Sequence, residues 1–310
     1  MNYPRLSFAA LFPVLFVQNV QAQDLDPRAY VRAPVHMTFL VAGFGYSHGG
    51  VLTDPTLPIK DLQADIETPS LGTGHVFGLL GKTAQVTVAV PYSWAQLSGT
   101  LASGSASTER AGFGDMRLRL SVLLFGGNAA SAADLAKAEH HTIVGTSISV
   151  VAPTGEYSSD KLINLGTSRW AFKPELALSQ PVGRRWLIDV YSAIWLFTEN
   201  NSFYPGSSIR SQNPLGAFQA HFSFNFQPNL WAAIDVTYYT GGNSAVNGKE
   251  MDDRQSNTRV GATVVLPVGK LHSVKLAYST GAIVRYGANF TSLSFGWQTL
   301  IMPRPKKAGS

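Results

Sequence analysis

The chain has 310 residues, with 24 Lys and Arg against 19 Asp and Glu, a formal charge of +5, no cysteine, 29 glycines and only 14% charged residues. A pI of about 9.4 would suit a nucleic-acid partner, but no Lys/Arg cluster lies inside the body of the chain, so nucleic acid is not an expected partner. A mean hydropathy of +0.05 is too low for a bundle of membrane helices, and without cysteine no disulfide framework is possible.

The first predicted element is a leader. Arg5 precedes the apolar run L-S-F-A-A-L-F-P-V-L-F-V (6–17), and Q-N-V-Q-A-Q (18–23) places the small residues Val20 and Ala22 at the −3 and −1 positions of a cleavage site. The run is shorter than the ~20 apolar residues that a membrane helix needs. Residues 1–22 therefore read as a signal peptide cleaved after Ala22, and the mature chain as exported.

From there on the hydrophobic period is two. In V-T-V-A-V-P-Y-S-W (86–94), Val86, Val88, Val90, Tyr92 and Trp94 share a face. Met116, Leu118, Leu120 and Val122 oppose Asp115, Arg117, Arg119 and Ser121. In L-G-A-F-Q-A-H-F-S-F-N-F-Q (215–227), Phe218, Phe222, Phe224 and Phe226 lie opposite Gln219, His221, Ser223 and Asn225. The same alternation recurs in 230–238, 273–286 and 290–301. A strand sends successive side chains to opposite faces, so each segment is a strand with one oily and one wet face.

Counting these segments gives about twelve strands, an even number, as single-chain outer-membrane barrels have. The expected spans are 36–47, 61–80 (long enough to hide a bulge), 84–101, 111–126, 141–157, 169–182, 186–201, 212–227, 230–246, 257–268, 273–287 and 290–302. Short turns at 81–83, 182–185, 227–229 and 268–272 alternate with longer polar connectors at 48–60, 102–111, 158–168, 202–211 and 247–256. The run N-A-A-S-A-A-D-L-A-K-A-E-H-H (128–141) predicts a small helix on the short-turn side.

The fold class expected is thus all-β: an antiparallel transmembrane β-barrel over 23–302, with long extracellular loops, short periplasmic turns and a C-terminal tail at 303–310. A soluble sandwich or lipocalin-like barrel is the competing architecture. Against it, nearly every strand carries charge on its minority face. The expected lumen-lining residues are Asp65, Glu67, Asp115, Arg117, Arg119, Lys173, Glu175, Asp189, His221, Asp235, Arg259, Lys275 and Arg285. Phe113, Tyr191, Trp195, Trp231 and Tyr239 reach the same parity, so rings stand between charges. Trp94 and Trp170 on the loop side and Trp186 and Trp297 on the turn side fit two interfacial girdles.

Three functions compete on these residues. The first is a channel or transporter for small molecules, with membrane lipids, lipopolysaccharide and a small solute as partners. The second is a lipid-modifying hydrolase using His221 and Ser223, an H-x-S pair on one strand face in which the His could activate the hydroxyl. It resembles the His-x-Ser of outer-membrane lipolytic enzymes, but in those Asn directly follows Ser, whereas here Phe224 follows Ser223 and Asn225 comes one later on the same face. The third is a structural barrel with a plugged lumen. No zinc spacing appears: His140-His141 send their rings to opposite sides, and E-M-D-D (250–253) lacks a calcium-loop pattern, so neither a metal nor a cofactor is expected.

The motifs V-P-Y (90–92), G-F-G-D (112–115), P-T-G-E-Y (153–157), Y-Y-T-G-G-N (238–243), N-T-R-V-G-A-T (257–263) and K-L-A-Y-S-T-G (275–281) occur in this order across nearly all of the mature chain. In them the sequence resembles the outer-membrane transporter family named for the meta-pathway of phenol degradation. That resemblance implies an outer-membrane barrel that passes aromatic or other hydrophobic compounds, and it carries no binding residues with it. One departure is the end of the chain. Such barrels commonly finish on an aromatic residue, whereas this chain runs on past Trp297 into M-P-R-P-K-K-A-G-S (302–310), which moves the assembly signal inward to W-Q-T-L-I-M (297–302).

Overall fold

The computed structural model describes residues 25–52, 59–101, 104–138 and 141–302. The leader with its cleavage point after Ala22, His140 and the 303–310 tail lie outside the described residues. In chain order the strands are β1 (Thr38–Leu52), β2 (Ile59–Leu79), β3 (Lys82–Leu101), β4 (Gly104–Phe113), β5 (Met116–Phe125), β6 (Ile143–Ala152), β7 (Ala171–Val182), β8 (Trp186–Phe197), β9 (Asn200–Phe203), β10 (Ser208–Gln212), β11 (Leu215–Gln227), β12 (Leu230–Gly241), β13 (Ser244–Val246), β14 (Lys249–Glu250), β15 (Gln255–Val268), β16 (His272–Ile283) and β17 (Gly287–Ile301). Among the described residues one short helix, α1 (Ala132–Leu135), lies between β5 and β6.

Thirteen of these strands form one antiparallel sheet, in which β1 pairs with both β2 and β17, and β3 pairs with β2 and with both β4 and β5. The sheet is therefore closed. Strand β4 runs against Tyr92–Leu101 and β5 against Ala84–Ala89, so the two are halves of a single crossing and the wall has twelve. Closure leaves no unpaired edge, which is what a sheet in hydrocarbon requires. The expected bulge in β2 is present, where the register slips between Lys60 and Gln63 and Asp61 takes a φ of 51°.

The two faces of β11 show what the alternation does. Phe218, Phe222 and Phe226 are exposed on the outside, while Gln219, His221 and Ser223 are buried. Its neighbour β12 exposes Ile234 and Tyr238 and buries Trp231, Asp235, Thr237 and Tyr239. On these strands the outer face is oily, whereas the interior mixes polar and charged groups with rings and small apolar clusters. That is the reverse of a soluble barrel and fits a wall meeting lipid. Trp94, Trp170, Trp186 and Trp297 all stand on the outer surface.

Four expected interior positions are corrected. Asp65 and Glu67 lie on the outer face of β2, opposite His48 and Tyr46 of β1, where Asp65 accepts from the Tyr46 hydroxyl at 2.6 Å and contacts His48 Nδ1 at 2.8 Å. The lower outer face of the same strand carries Leu71 instead, so these charges belong to the part of β2 that rises toward the loops. Phe113 is also exposed, packed edge-on to Tyr92, because the face alternation inverts across Gly114–Asp115, where β4 gives way to β5. Arg285 sits past the end of β16 in the turn to β17, half-exposed and paired with Asp252 at 3.2 Å.

The two ends differ as expected, with two changes. Most of the 102–111 connector is the strand β4, which prolongs the β3 ladder outward. The connectors 198–214 and 242–254 form a second sheet of four short strands, ordered β14-β13-β10-β9, at the loop end. At the turn end, Leu80 and Gly81 both take positive φ, 48° and 77°, as a tight twisted hairpin requires. Ser131 and Asp134 cap α1 reciprocally, and the Ser131 hydroxyl holds the Asp134 carboxyl below its ordinary pKa.

Candidate functional site

The interior is not open. Residues 25–37, ahead of β1, run inside the barrel, and Leu25, Arg28, Tyr30, Ala33 and Met37 are buried. The segment is pinned from several strands. Arg28 N donates to Asp189 Oδ2 at 3.3 Å, Arg28 Nη1 to Asn225 Oδ1 at 2.9 Å, and Ala29 N to the Tyr191 hydroxyl at 3.1 Å. Lys275 Nζ reaches Asp26 Oδ1 at 3.2 Å. The Tyr30 hydroxyl lies 2.8 Å from both Ser147 Oγ and Glu175 Oε1. Wall glycines make the room: a Cβ on Gly145 would stand 2.3 Å from the Tyr30 ring, and one on Gly261 2.8 Å from Leu25. Period-two reasoning passed over this segment because L-D-P-R-A-Y-V-R-A-P-V-H (25–36) has no alternation; its prolines and mixed charges between leader and first strand were the available signal.

Beside the segment a cavity of about 80 Å³ remains, lined among others by Asp26, Arg117, Arg119, Lys173, Glu175 and Gln219. Strands β5 and β7 supply its charges because alternate residues on each point inward: 117 and 119 on one, 173 and 175 on the other. Glu175 holds the cluster together, with Lys173 Nζ at 3.3 Å and Arg119 Nη2 at 3.4 Å. The same cations cover rings. Lys173 Nζ lies 5.4 Å and the Arg117 guanidinium 5.8 Å from the Trp195 ring centre, and Arg119 lies 4.8 Å from that of Tyr30. Trp195 in turn stacks on Phe197 at 6.3 Å. Cations and rings thus alternate up one side of the lumen, an arrangement that favours an anionic or electron-rich aromatic group.

Further candidates sit lower and deeper. His221 lies across from Asp189 on β8 and Asp235 on β12, with Nδ1 2.7 Å from Asp235 Oδ1; Thr263 donates to the other Asp235 oxygen at 2.9 Å. Ser223 is fully buried, and neither its Oγ nor His221 Nε2 has a hydrogen-bond partner among the described residues, so the Ser–His bond that would activate a nucleophile is not formed. Ser179 donates to Asp189, and Arg259 donates to the Phe290 carbonyl at 2.7 Å. His141 contacts the Gly126 carbonyl, Asp252 pairs with Arg285, and Asp253 accepts from Ser244 N and Oγ, so these groups serve loop architecture.

Asp115 does not line the lumen freely either. It accepts from Gly155 N at 2.9 Å, Thr167 N at 2.9 Å and Thr167 Oγ1 at 2.6 Å, tying the connector after β6 to the β4–β5 break. Three of the sequence motifs meet there. Gly114 N donates to Pro91 O at 3.0 Å and Glu156 N to Phe113 O at 2.8 Å, while a Cβ on Gly155 would lie 2.7 Å from the Gly114 backbone. V-P-Y, G-F-G-D and P-T-G-E-Y are thus parts of one junction where three backbones approach closely, which explains their glycines.

Among solved structures the chain is similar to an outer membrane channel from Pseudomonas putida F1, at 21% identity and a TM-score of 0.77, covering 90% of this chain and 100% of that one. The β domain of the Bordetella autotransporter BrkA matches at 11% identity, TM-score 0.51, over 86% of this chain and 100% of that one. The transport unit of the autotransporter AIDA-I from Escherichia coli matches at 11% identity, TM-score 0.51, over 95% of both. At these identities the likeness establishes the fold, an outer-membrane β-barrel. No curated protein matches the sequence. A family model does match, over residues 43–297, from the first wall strand to the last: the chain belongs to the family described as "Putative MetA-pathway of phenol degradation".

Proposed function

We propose that this protein is a passive outer-membrane channel for small amphipathic solutes, aromatic acids and phenols above all, reaching that membrane after cleavage of the leader near Ala22. The observation that carries the solute class is the inward stack of Lys173 and Arg117 on Trp195 beside the interior cavity. A ring can lie against Trp195 while a carboxylate or phenolate meets the cations. The name of the family and that of the Pseudomonas putida neighbour, a channel, point the same way. The apolar outer belt faces membrane lipids, and the loop end faces lipopolysaccharide. The remaining candidates Asp189, His221, Asp235, Arg259 and Lys275 act in this reading as the polar interior against which the N-terminal segment seats, not as catalysts. The unbonded Ser223 supports that assignment.

Geometry sets a condition on passage. Small-molecule sites commonly occupy about 300–1,000 Å³, far more than the cavity of about 80 Å³ left here. A solute therefore passes only when residues 25–37 yield. The test is liposome swelling at pH 8 with sodium benzoate against glucose, for the parent and for a variant lacking residues 25–36. Benzoate entry ahead of glucose, faster in the shortened protein, is the expected result. Equal entry of both solutes would reduce the protein to a general pore. The filled lumen also favours a second reading, a sealed structural barrel, which absence of entry even in the shortened protein would select.

A further inference from the structure

Above the interior stack, at the loop end, two arginines lie near enough for their charges to oppose one another. Arg169 lies two residues before β7, is only 8% exposed, and stands 4.4 Å over the Phe197 ring. Its Nη2 donates to Gln212 Oε1 on β10, and its Nη1, also buried, has no hydrogen-bond partner among the described residues. Arg210 stands two residues before Gln212 on β10, hence on the same side of that strand, and covers the Phe203 ring at 5.5 Å. Among the described residues neither guanidinium forms a salt bridge. Two acids act on the pair from a distance, Asp115 on Arg169 and Asp253 on Arg210, but their hydrogen bonds go to Gly155 and Thr167 and to Ser244.

Burial and then the neighbouring Arg210 charge pull the Arg169 guanidinium down to about 9, which still leaves it a cation at neutral pH. Holding a second cation beside the buried Arg169 is unfavourable unless an anion joins them, and a planar guanidinium fork suits a carboxylate. Beside Arg210, Tyr157 of the P-T-G-E-Y motif is held by the Asn200 amide at 2.9 Å and donates to the Ser202 carbonyl at 3.0 Å, which fixes this wall of the mouth. Below it, Phe197 leads directly onto Trp195 and the Lys173–Arg117 stack.

We propose that Arg169 and Arg210 form a carboxylate-binding site at the outer mouth of the barrel, which receives an organic acid before it enters the lumen. The site rests on the channel reading for its purpose, but its occupancy can be measured apart from transport. Sodium benzoate is the probe, by equilibrium dialysis of the full-length protein in detergent, with benzyl alcohol as the uncharged analogue and inorganic phosphate as the alternative anion.

Arg210→Gln should weaken benzoate binding at least tenfold, Arg210→Lys less so, and neither should alter benzyl alcohol binding. Arg169→Gln should match Arg210→Gln. Should it fail to fold, as judged by loss of heat-modifiable gel mobility, the Arg210 pair decides alone. Unchanged benzoate affinity in Arg210→Gln overturns the site. Phosphate binding tighter than benzoate, and lost in the same variant, overturns the carboxylate assignment in favour of a phosphate such as a lipid headgroup bears. Benzoate binding without benzoate entry into liposomes sustains the site and sinks the channel reading; entry with no difference in binding does the reverse.

Discussion

The β11–β12 hairpin and the β2–β3 hairpin obey the same period and mean different things by it. In the first, strands of 13 and 12 residues pair without interruption until the last residues near the turn, and each residue's parity fixes its face. In the second, strands of 21 and 20 residues far exceed the ~9–11 needed to cross a bilayer, so one outer face passes from lipid to water along its length. Leu71 and Asp65 stand on that same face. Parity says in or out; only height says what the outside is.

The largest effect expected from this contrast is at the middle of the regular hairpin. Ile234 is 65% exposed on the outer face of β12, paired with Phe222 and Ala262. Ile234→Arg should cost about 2–4 kcal/mol of barrel stability, the value for a cation near the lipid midplane. Urea titration of the protein refolded in vesicles measures it. A loss under about 1 kcal/mol would place β12 outside the hydrocarbon and break the comparison.

Asp115 tests the point where parity inverts. Its carboxylate takes three donors from the 155–167 connector. Asp115→Asn removes the charge from those bonds and should cost about 1.5–3 kcal/mol locally, the worth of a hydrogen bond to a charged group. The expected readout is rapid amide exchange at Gly155 and Thr167 with the wall strands still protected. Loss of protection throughout the wall would instead make the junction part of the barrel's own stability.

Gly145 tests what the inner face is for. In Gly145→Val the new side chain meets the Tyr30 ring, and overpacking of this kind costs about 1–3 kcal/mol. The wall can keep its shape while residues 25–37 back out, so single-channel recording should show a higher conductance or more frequent opening. An unchanged trace with an unchanged Tyr30 environment would mean that the segment does not govern the pore.

These cases also mark what could be read from the sequence. The closed barrel, its crossings and the inward placement of Lys173, Glu175, Asp189, His221 and Asp235 follow from alternation alone, because a regular ladder converts sequence parity into a face. Phe113 departs from its parity through the inversion at Gly114–Asp115, a backbone event that its residue types signal only as flexibility. Asp65 and Glu67 stand outside because the rule that sends charge inward holds only at lipid height. The N-terminal segment carries no period at all, and its fit depends on wall glycines more than a hundred residues away, such as Gly145 against Tyr30. Arg169 and Arg210 come together through the pairing of two loops, which no local pattern encodes.

The smallest effect is expected where the charge is already outside. Asp65 holds the Tyr46 hydroxyl and His48 in an exposed setting, its own side chain 45% accessible, and exposed pairs of this sort contribute little. Asp65→Arg should therefore stay within about 0.5 kcal/mol of the parent. Moving the same cation down the same face of β2 to Leu71 should restore a penalty, since Leu71 is 70% exposed among outward apolar neighbours. The pair is a depth gauge on one strand. Equal costs at 65 and 71, both near zero, would mean that water surrounds the whole upper half of β2; equal costs as large as that of Ile234→Arg would raise the lipid boundary to the loops and return the problem of how Asp65 and Glu67 are tolerated there.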